Sequence, residues 1–362
     1  MPVAQPRPGR PTGSRGVWPV PGRLAVALCS LLLCQASASA GAQALPPPPP
    51  TPLADGNRRH AVTAVIAEGV PQALSIGAVP GRGTPIFEVG TLWKVTSATG
   101  AQSHLLGTLH IGMGTELGVP PQAWQVLREA RRLVVEVTLD ELDVERVQSF
   151  QQMPGGADWS RSWTRDEMSS LRQRLLAAGQ PYGVPGRIKP WVLVNAMALG
   201  PELPAQSLDE VIIGRARMAG LPVQPLETVM EQFASFDCID TQEHLHILRD
   251  ALQTPSADFR SLNRATLKLY AQQKVADLMT LQAARFPRSA AARLADARLT
   301  QCAISDRNER FVEKLSTLLL EPGQFVAVGA AHLVGPTGLL ARLHERGFRV
   351  ERLGARAVAR AP

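Results

Sequence analysis

Several things are scarce or missing in this chain, and each narrows what it can be. No Gly-rich loop ends in Lys-Ser or Lys-Thr, and no Gly-x-Gly-x-x-Gly occurs, which sets aside phosphate-loop and dinucleotide-binding enzymes. Aromatic residues make up only 5 % of the chain, and Tyr182 and Tyr270 are its only tyrosines, so a phenolate-ligated haem would have two positions to choose from. The 45 % apolar content is still ample for the core of one large or two ordinary domains. No acidic residue precedes Asp55.

That acid-free start carries Arg7, Arg10, Arg15 and Arg23, then an apolar run from Leu24 to Cys34, then Ala38-Ser39-Ala40. A basic segment, an apolar run too short to cross a bilayer as a mature helix, and a small-residue cleavage site read as a secretory signal peptide over residues 1–40. Translation starting further in would shorten its long basic part. The protein is therefore expected to be exported, periplasmic or secreted, with an uncleaved signal anchor as its only membrane attachment. Cys29 and Cys34 each follow a leucine, which argues against lipid attachment. Loss of the four arginines lowers the formal net charge from +7 to +3, so the basic balance is no argument for a nucleic-acid partner. Only Cys238 and Cys302 then remain, and in an oxidising compartment a single disulfide between them is expected. Residues 41–85, with Pro46–Pro50, read as an extended tether. Residues 86–362 read as one α/β domain.

Within that domain the chain is organised around Leu105–Val137, which holds Gly107-Thr108-Leu109-His110 and, in an apolar run, Glu136. The motif is echoed by Gly329-Ala330-Ala331-His332. Both histidines follow short strand-like runs, and in open α/β sheets ligands bind beyond the carboxyl ends of strands. Glu136 lies in Leu133–Val137, a setting that demands a cation, a metal or hydrogen-bond donors for its carboxylate. Strand, helix and strand from His104 to Val137 form the unit that builds a parallel sheet.

The remaining pattern is coarser. Strands are expected over Phe87–Ser97, into His110, Pro222–Leu226, Phe325–Val328 and Phe348–Leu353. Helices are expected over Pro120–Arg132, Asp140–Gln152, Thr164–Ala178, Pro190–Leu199, Ser207–Met218 and Leu339–Arg346, the last with Thr337 available as a cap. Asp258–Leu320 reads as two extended helices or a bent pair. Glu227 falls just past the strand at Pro222–Leu226, either as a contributor to the crevice or as a helix-start acid. His244 and His246 are two apart on a helix and point in different directions, a poor chelating pair.

The succession Leu92-Trp93-Lys94-Val95, Gly107–His110, Glu136, Lys189-Pro190-Trp191, Leu208-Asp209, Leu226-Glu227-Thr228 with Gln232, Arg307-Asn308 and Gly329–Leu333 resembles the TraB/PrgY/GumN family, with the GumN branch the nearest likeness and the Tiki metalloproteases as relatives. The resemblance spans about Ile86 to Leu353 and implies a mixed, mainly parallel sheet with a large helical middle section, similar to the erythromycin-esterase and ChaN-like folds. It also implies that Arg307 and Asn308 face the site, although spacing alone puts them on a solvated helix face.

Two imidazoles and a carboxylate suit a divalent ion of the zinc or manganese class, with an open position for water. On that reading His110 and His332 are ligands and Glu136 is a third ligand or the base, in a metal-dependent hydrolase, which the resemblance to the Tiki metalloproteases implies is peptidase-like. Glu227, Arg307 and Asn308 would help bind a peptide or small-molecule substrate. A second reading removes the metal, with a histidine activating water while a carboxylate orients it. A third makes the chain a peptide- or haem-binding protein without turnover.

Overall fold

The computed structural model describes residues 87–110, 118–140, 143–180, 182–198 and 207–353. The signal peptide and tether expected from the sequence lie outside the described residues.

Six strands form one mixed sheet: β1 (Leu92–Thr96), β2 (Gln102–Thr108), β3 (Arg132–Val135), β4 (Val223–Pro225), β5 (Gln324–Gly329) and β6 (Arg349–Arg352), in the order β4-β3-β5-β2-β1-β6. Neighbours from β4 to β2 run parallel, whereas β1 pairs antiparallel with β2 and with β6. The helices are α1 (Pro121–Glu129), α2 (Val144–Gln151), α3 (Arg165–Ala177), α4 (Pro190–Ala198), α5 (Leu208–Met218), α6 (Val229–Phe236), α7 (Thr241–Gln253), α8 (Ser256–Ala271), α9 (Val275–Arg285), α10 (Ala290–Thr300), α11 (Arg307–Leu318) and α12 (Leu339–Glu345). A π-helical segment, Gln301–Asp306, joins α10 to α11.

The central strand β5 is buried along its whole length, and the period-two alternation of a strand divides its side chains between two cores. Phe325 and Ala327 join Leu106, Leu133 and Val135 on one face; Val326 and Val328 join Leu105, Val134, Phe311 and Leu340 on the other. Two further apolar clusters, centred on Phe233 and on Leu171 and Leu248, hold the helical middle section together.

Three sequence expectations change. The first strand is only Leu92–Thr96, because the chain before it turns at Gly90, whose φ of 121° is open to glycine alone. The segment 258–320 is not a pair of long helices but runs through α8 to α11. It breaks at Gln273, in the left-handed region at φ 60°, and at Pro287, after which Ser289 caps α10. At the chain's end Thr337 does not cap α12; Gly338 holds the cap position, and the Thr337 carbonyl accepts from Asn308 Nδ2 and Arg342 Nε. Cys238 and Cys302 do form the expected disulfide, tying the turn after α6 to the π-helical segment.

Candidate active site

Each of the four adjacent parallel strands delivers one polar residue to the same edge of the sheet. Read across β4, β3, β5 and β2, they are Glu227, Glu136, His332 and His110, each within three residues of its strand's end. Glu136 lies just past β3, not inside it. The carboxyl ends of a parallel run open a crevice there, and Glu136, Glu227 and His332 are buried in it, with His110 partly exposed.

Arg307, the first residue of α11, binds these groups together. Its Nη2 donates to Glu136 Oε2 at 2.5 Å and to Glu227 Oε1 at 2.6 Å, its Nε donates to Glu227 Oε1 at 2.9 Å, and its Nη1 lies 3.1 Å from His332 Nε2 and donates to the Ala303 carbonyl. Only 2 % of Arg307 is exposed, so the solvated-face reading is wrong for it and for the fully buried Asn308. The pair points inward because it stands one turn before Phe311 and Val312, on the face that α11 buries. Asn308 Nδ2 donates to the carbonyls of His332 and Thr337, which leaves its Oδ1 to accept the Nδ1–H of His332 at 2.7 Å. His332 Nε2 therefore carries a lone pair and accepts from Arg307.

His110 is held differently. Its Nδ1 lies 2.9 Å from Asp209 Oδ2, and the other Asp209 oxygen accepts from Thr108 Oγ1 at 2.7 Å. Its Nε2 faces Glu136 Oε1 at 3.6 Å. Asp209 sits in the first turn of α5, whose Ser207–Glu210 capping box sets the helix start, and Leu208 N–H anchors that start to the Leu109 carbonyl. Tyr270, buried in α8, donates to the Gly107 carbonyl at 2.6 Å and fixes the strand end that carries His110. Gly329 completes the floor: its N–H donates to Glu136 Oε1 at 2.7 Å, and a Cβ there would stand 2.8 Å from His110 Nε2.

These surroundings push the two histidines apart. Burial opposes a charge on His110, but Asp209 and then Glu136 outweigh it and raise its pKa to about 10. Burial, helped by Arg307 and opposed by Glu136, lowers that of His332 to about 3. Burial also works against the charge on Glu136, yet Arg307 beside it holds the carboxyl well below the usual range; for Glu227 burial wins and its pKa rises. His110 is thus the cationic ring and His332 the neutral one.

The donor atoms are of a kind that binds divalent ions: His110 Nε2 and His332 Nε2 each lie 3.6 Å from the same oxygen of Glu136. The only lone pair of His332 Nε2 already faces Arg307, and Gly329 N–H and Arg307 each take one lone pair of a Glu136 oxygen. Among the described residues no group of three or more His, Cys, Asp or Glu is placed to hold a metal ion. With the His332 Nε2 lone pair turned to Arg307, the residues as arranged do not fit an ion.

A cleft of about 140 Å³ opens on His110, Glu136, Asp209 and Gln232, with Val135, Val137, Leu139 and Ile213 as apolar wall. His332, Glu227, Arg307 and Asn308 do not line it; they form the buried support behind Glu136. Asp209 and Gln232 belong to the succession that carries the family resemblance, but local spacing gives neither a place in the site. By spacing alone Asp209, two residues past the Ser207 cap, reads as helix-start chemistry; its signal is the Leu208-Asp209 pair of the resemblance.

The family model described as the TraB/PrgY/gumN family matches residues 91–352 of this chain, a span that contains every residue of the site. No curated protein and no solved structure matches it.

Proposed function

We propose that this chain, which belongs to the TraB/PrgY/gumN family, is an exported hydrolase that moves protons between His110 and Glu136 at the floor of the cleft, with no ion taking part. One observation carries the reading: Asp209, His110 and Glu136 form a continuous line, 2.9 Å and then 3.6 Å between their facing atoms, that ends in the cleft. A carboxylate that orients an imidazole, and an imidazole that faces a second carboxylate, is equipment for general acid–base catalysis.

In this scheme the carbonyl carbon of an ester or amide is attacked by a water whose proton passes to Glu136 Oε1. His110 Nε2 gives its proton to the departing oxygen or nitrogen as the C–O or C–N bond breaks. Once His110 has given up its charge, Glu136 loses a neighbouring cation and holds its new proton more tightly. Return of that proton across the gap to His110 restores the starting state. Arg307 keeps Glu136 ionised between turnovers, and Asn308 keeps His332 in the tautomer that supports Arg307. Placement in the GumN branch, kinship with the Tiki proteases and the erythromycin-esterase or ChaN-like form of the fold belong to the same proposal.

The test is turnover of peptide and p-nitrophenyl ester probes by the purified protein, with metal analysis alongside. Activity that survives chelation and falls at least about a hundredfold in His110→Gln, Glu136→Gln and Asp209→Asn supports the reading, that being the usual scale of a lost acid–base group. A stoichiometric ion in the wild type, lost in His110→Gln and His332→Gln together with chelator-sensitive turnover, would replace it with the metal-dependent hydrolase.

A further inference from the structure

One face of α5 runs along the cleft. Asp209, Ile213 and Arg217 follow one another at four-residue intervals and all line it, so the face leads from the acid beside His110 to a guanidinium carried about 12 Å further along the axis. Val137, Thr138 and Leu139 also line the cleft as the chain leaves Glu136, and Asp140 follows them. Between the two ends Val137, Leu139 and Ile213 offer an apolar surface that is only half-buried.

The charges near the floor are already paired. His110 faces Asp209 and Glu136, and Glu210 is turned to the helix start, where its Oε2 accepts from the Ser207 N–H and hydroxyl. At the far end Arg217 is about half exposed, and its Nη2 donates to both oxygens of the exposed Asp140. Its Nε and Nη1 have no partner among the described residues. An ion pair this exposed is weakly held, and a guanidinium with free donors suits a planar carboxylate. We propose that Arg217 anchors the carboxylate of a substrate whose apolar chain lies on Val137, Leu139 and Ile213 and whose other end presents the scissile carbonyl to His110 and Glu136. Asp140 is the competitor that the ligand carboxylate replaces. The assignment rests on the cleft being the substrate site of the proposed hydrolase, and it makes Arg217 a specificity-determining residue, separate from the proton carriers.

Two probes of one shape test it: monomethyl suberate, anionic at its far end, and the same ester with a neutral terminal carboxamide. Each is titrated into the full chain and followed by NMR, which also shows the methanol that hydrolysis releases. The wild type should bind the anion about tenfold more tightly, the scale of one hydrogen bond to a charged group. Arg217→Gln should bind the two alike, and Asp140→Asn, which removes the competitor, should widen the preference. A pair that only braced the cleft would make both variants weaken binding together. Equal affinity of the wild type for both probes, binding of neither, a preference that survives in Arg217→Gln, or one that does not widen in Asp140→Asn overturns the assignment. Preference without hydrolysis of these or of the peptide probes keeps the anchor and removes the hydrolase; hydrolysis without preference does the reverse.

Discussion

Arg307 shows how much one side chain carries here. It is a buried cation whose partners are two buried carboxylates and a neutral ring, and removal of one member of such a group leaves the others charged and unpaired. Arg307→Met should therefore cost about 3–5 kcal/mol of stability, measured by urea denaturation. Arg307→Lys should recover only part of it, since one ammonium cannot reach Glu136, Glu227 and His332 together. Gly329 gives the opposite case. Its φ of −50° is open to any residue, so Gly329→Ala carries no backbone penalty, but the new methyl would fall 2.8 Å from His110 Nε2 and 3.2 Å from Glu136 Oε1. The variant should stay folded and lose turnover of the ester and peptide probes, and a rate equal to the wild type's would remove His110 from the chemistry.

Among the elements, α5 and the π-helical segment reach the site from outside the sheet. The start of α5 fixes Asp209 through the Ser207–Glu210 box, in which Ser207 Oγ accepts the Glu210 N–H and Glu210 accepts the Ser207 N–H. Ser207→Ala should cost about 1 kcal/mol as the loss of a cap, while turnover should fall further than that loss explains, because Asp209 shifts with the helix start. Comparison of the melting temperature with kcat on one preparation separates the two effects. The disulfide joins the end of α6 to the turn that feeds Arg307, across a sequence separation of 64. Closing a loop of that size corresponds to about 4 kcal/mol in the chain-entropy view, so reduction or the double Cys→Ser change should lower the denaturation midpoint markedly. Unchanged mass of the alkylated chain with and without prior reduction would contradict the bridge itself.

For the whole molecule the two histidines predict a stability curve with two limbs. His110 is raised from 6.5 to about 10, so its contribution is complete below pH 6.5 and is lost as pH rises through 10. His332 is lowered to about 3, so below pH 6.5 the unfolded chain binds a proton that the folded one refuses, and stability falls with acid. The depressed Glu136 adds to that acid limb, its stabilisation being lost as pH falls through its folded pKa. Urea midpoints measured from pH 4 to 10 should peak near pH 6.5. His110→Gln should flatten the alkaline limb and His332→Gln the acid one; a flat profile in the wild type would contradict both assignments.

The sequence by itself determined the elements and the polar residues they carry. Strand runs bounded by glycine placed His110 and His332 beyond sheet ends, the apolar neighbours of Glu136 demanded a partner for it, and two cysteines in a chain with an export-like leader pointed to one bridge. All of these are local properties, legible from composition and spacing within a few residues. The partner of Glu136 was not legible. Arg307 lies 171 positions away; the family resemblance put it at the site, but that its guanidinium lies between Glu136 and Glu227 depends on the order of the strands that carry them. Tertiary structure alone decided that this cation lies between Glu136 and Glu227, and that Asp209, the first-turn acid of another helix, stands beside His110. Which charges meet depends on strand order and helix register summed over the whole chain, and no local pattern contains either.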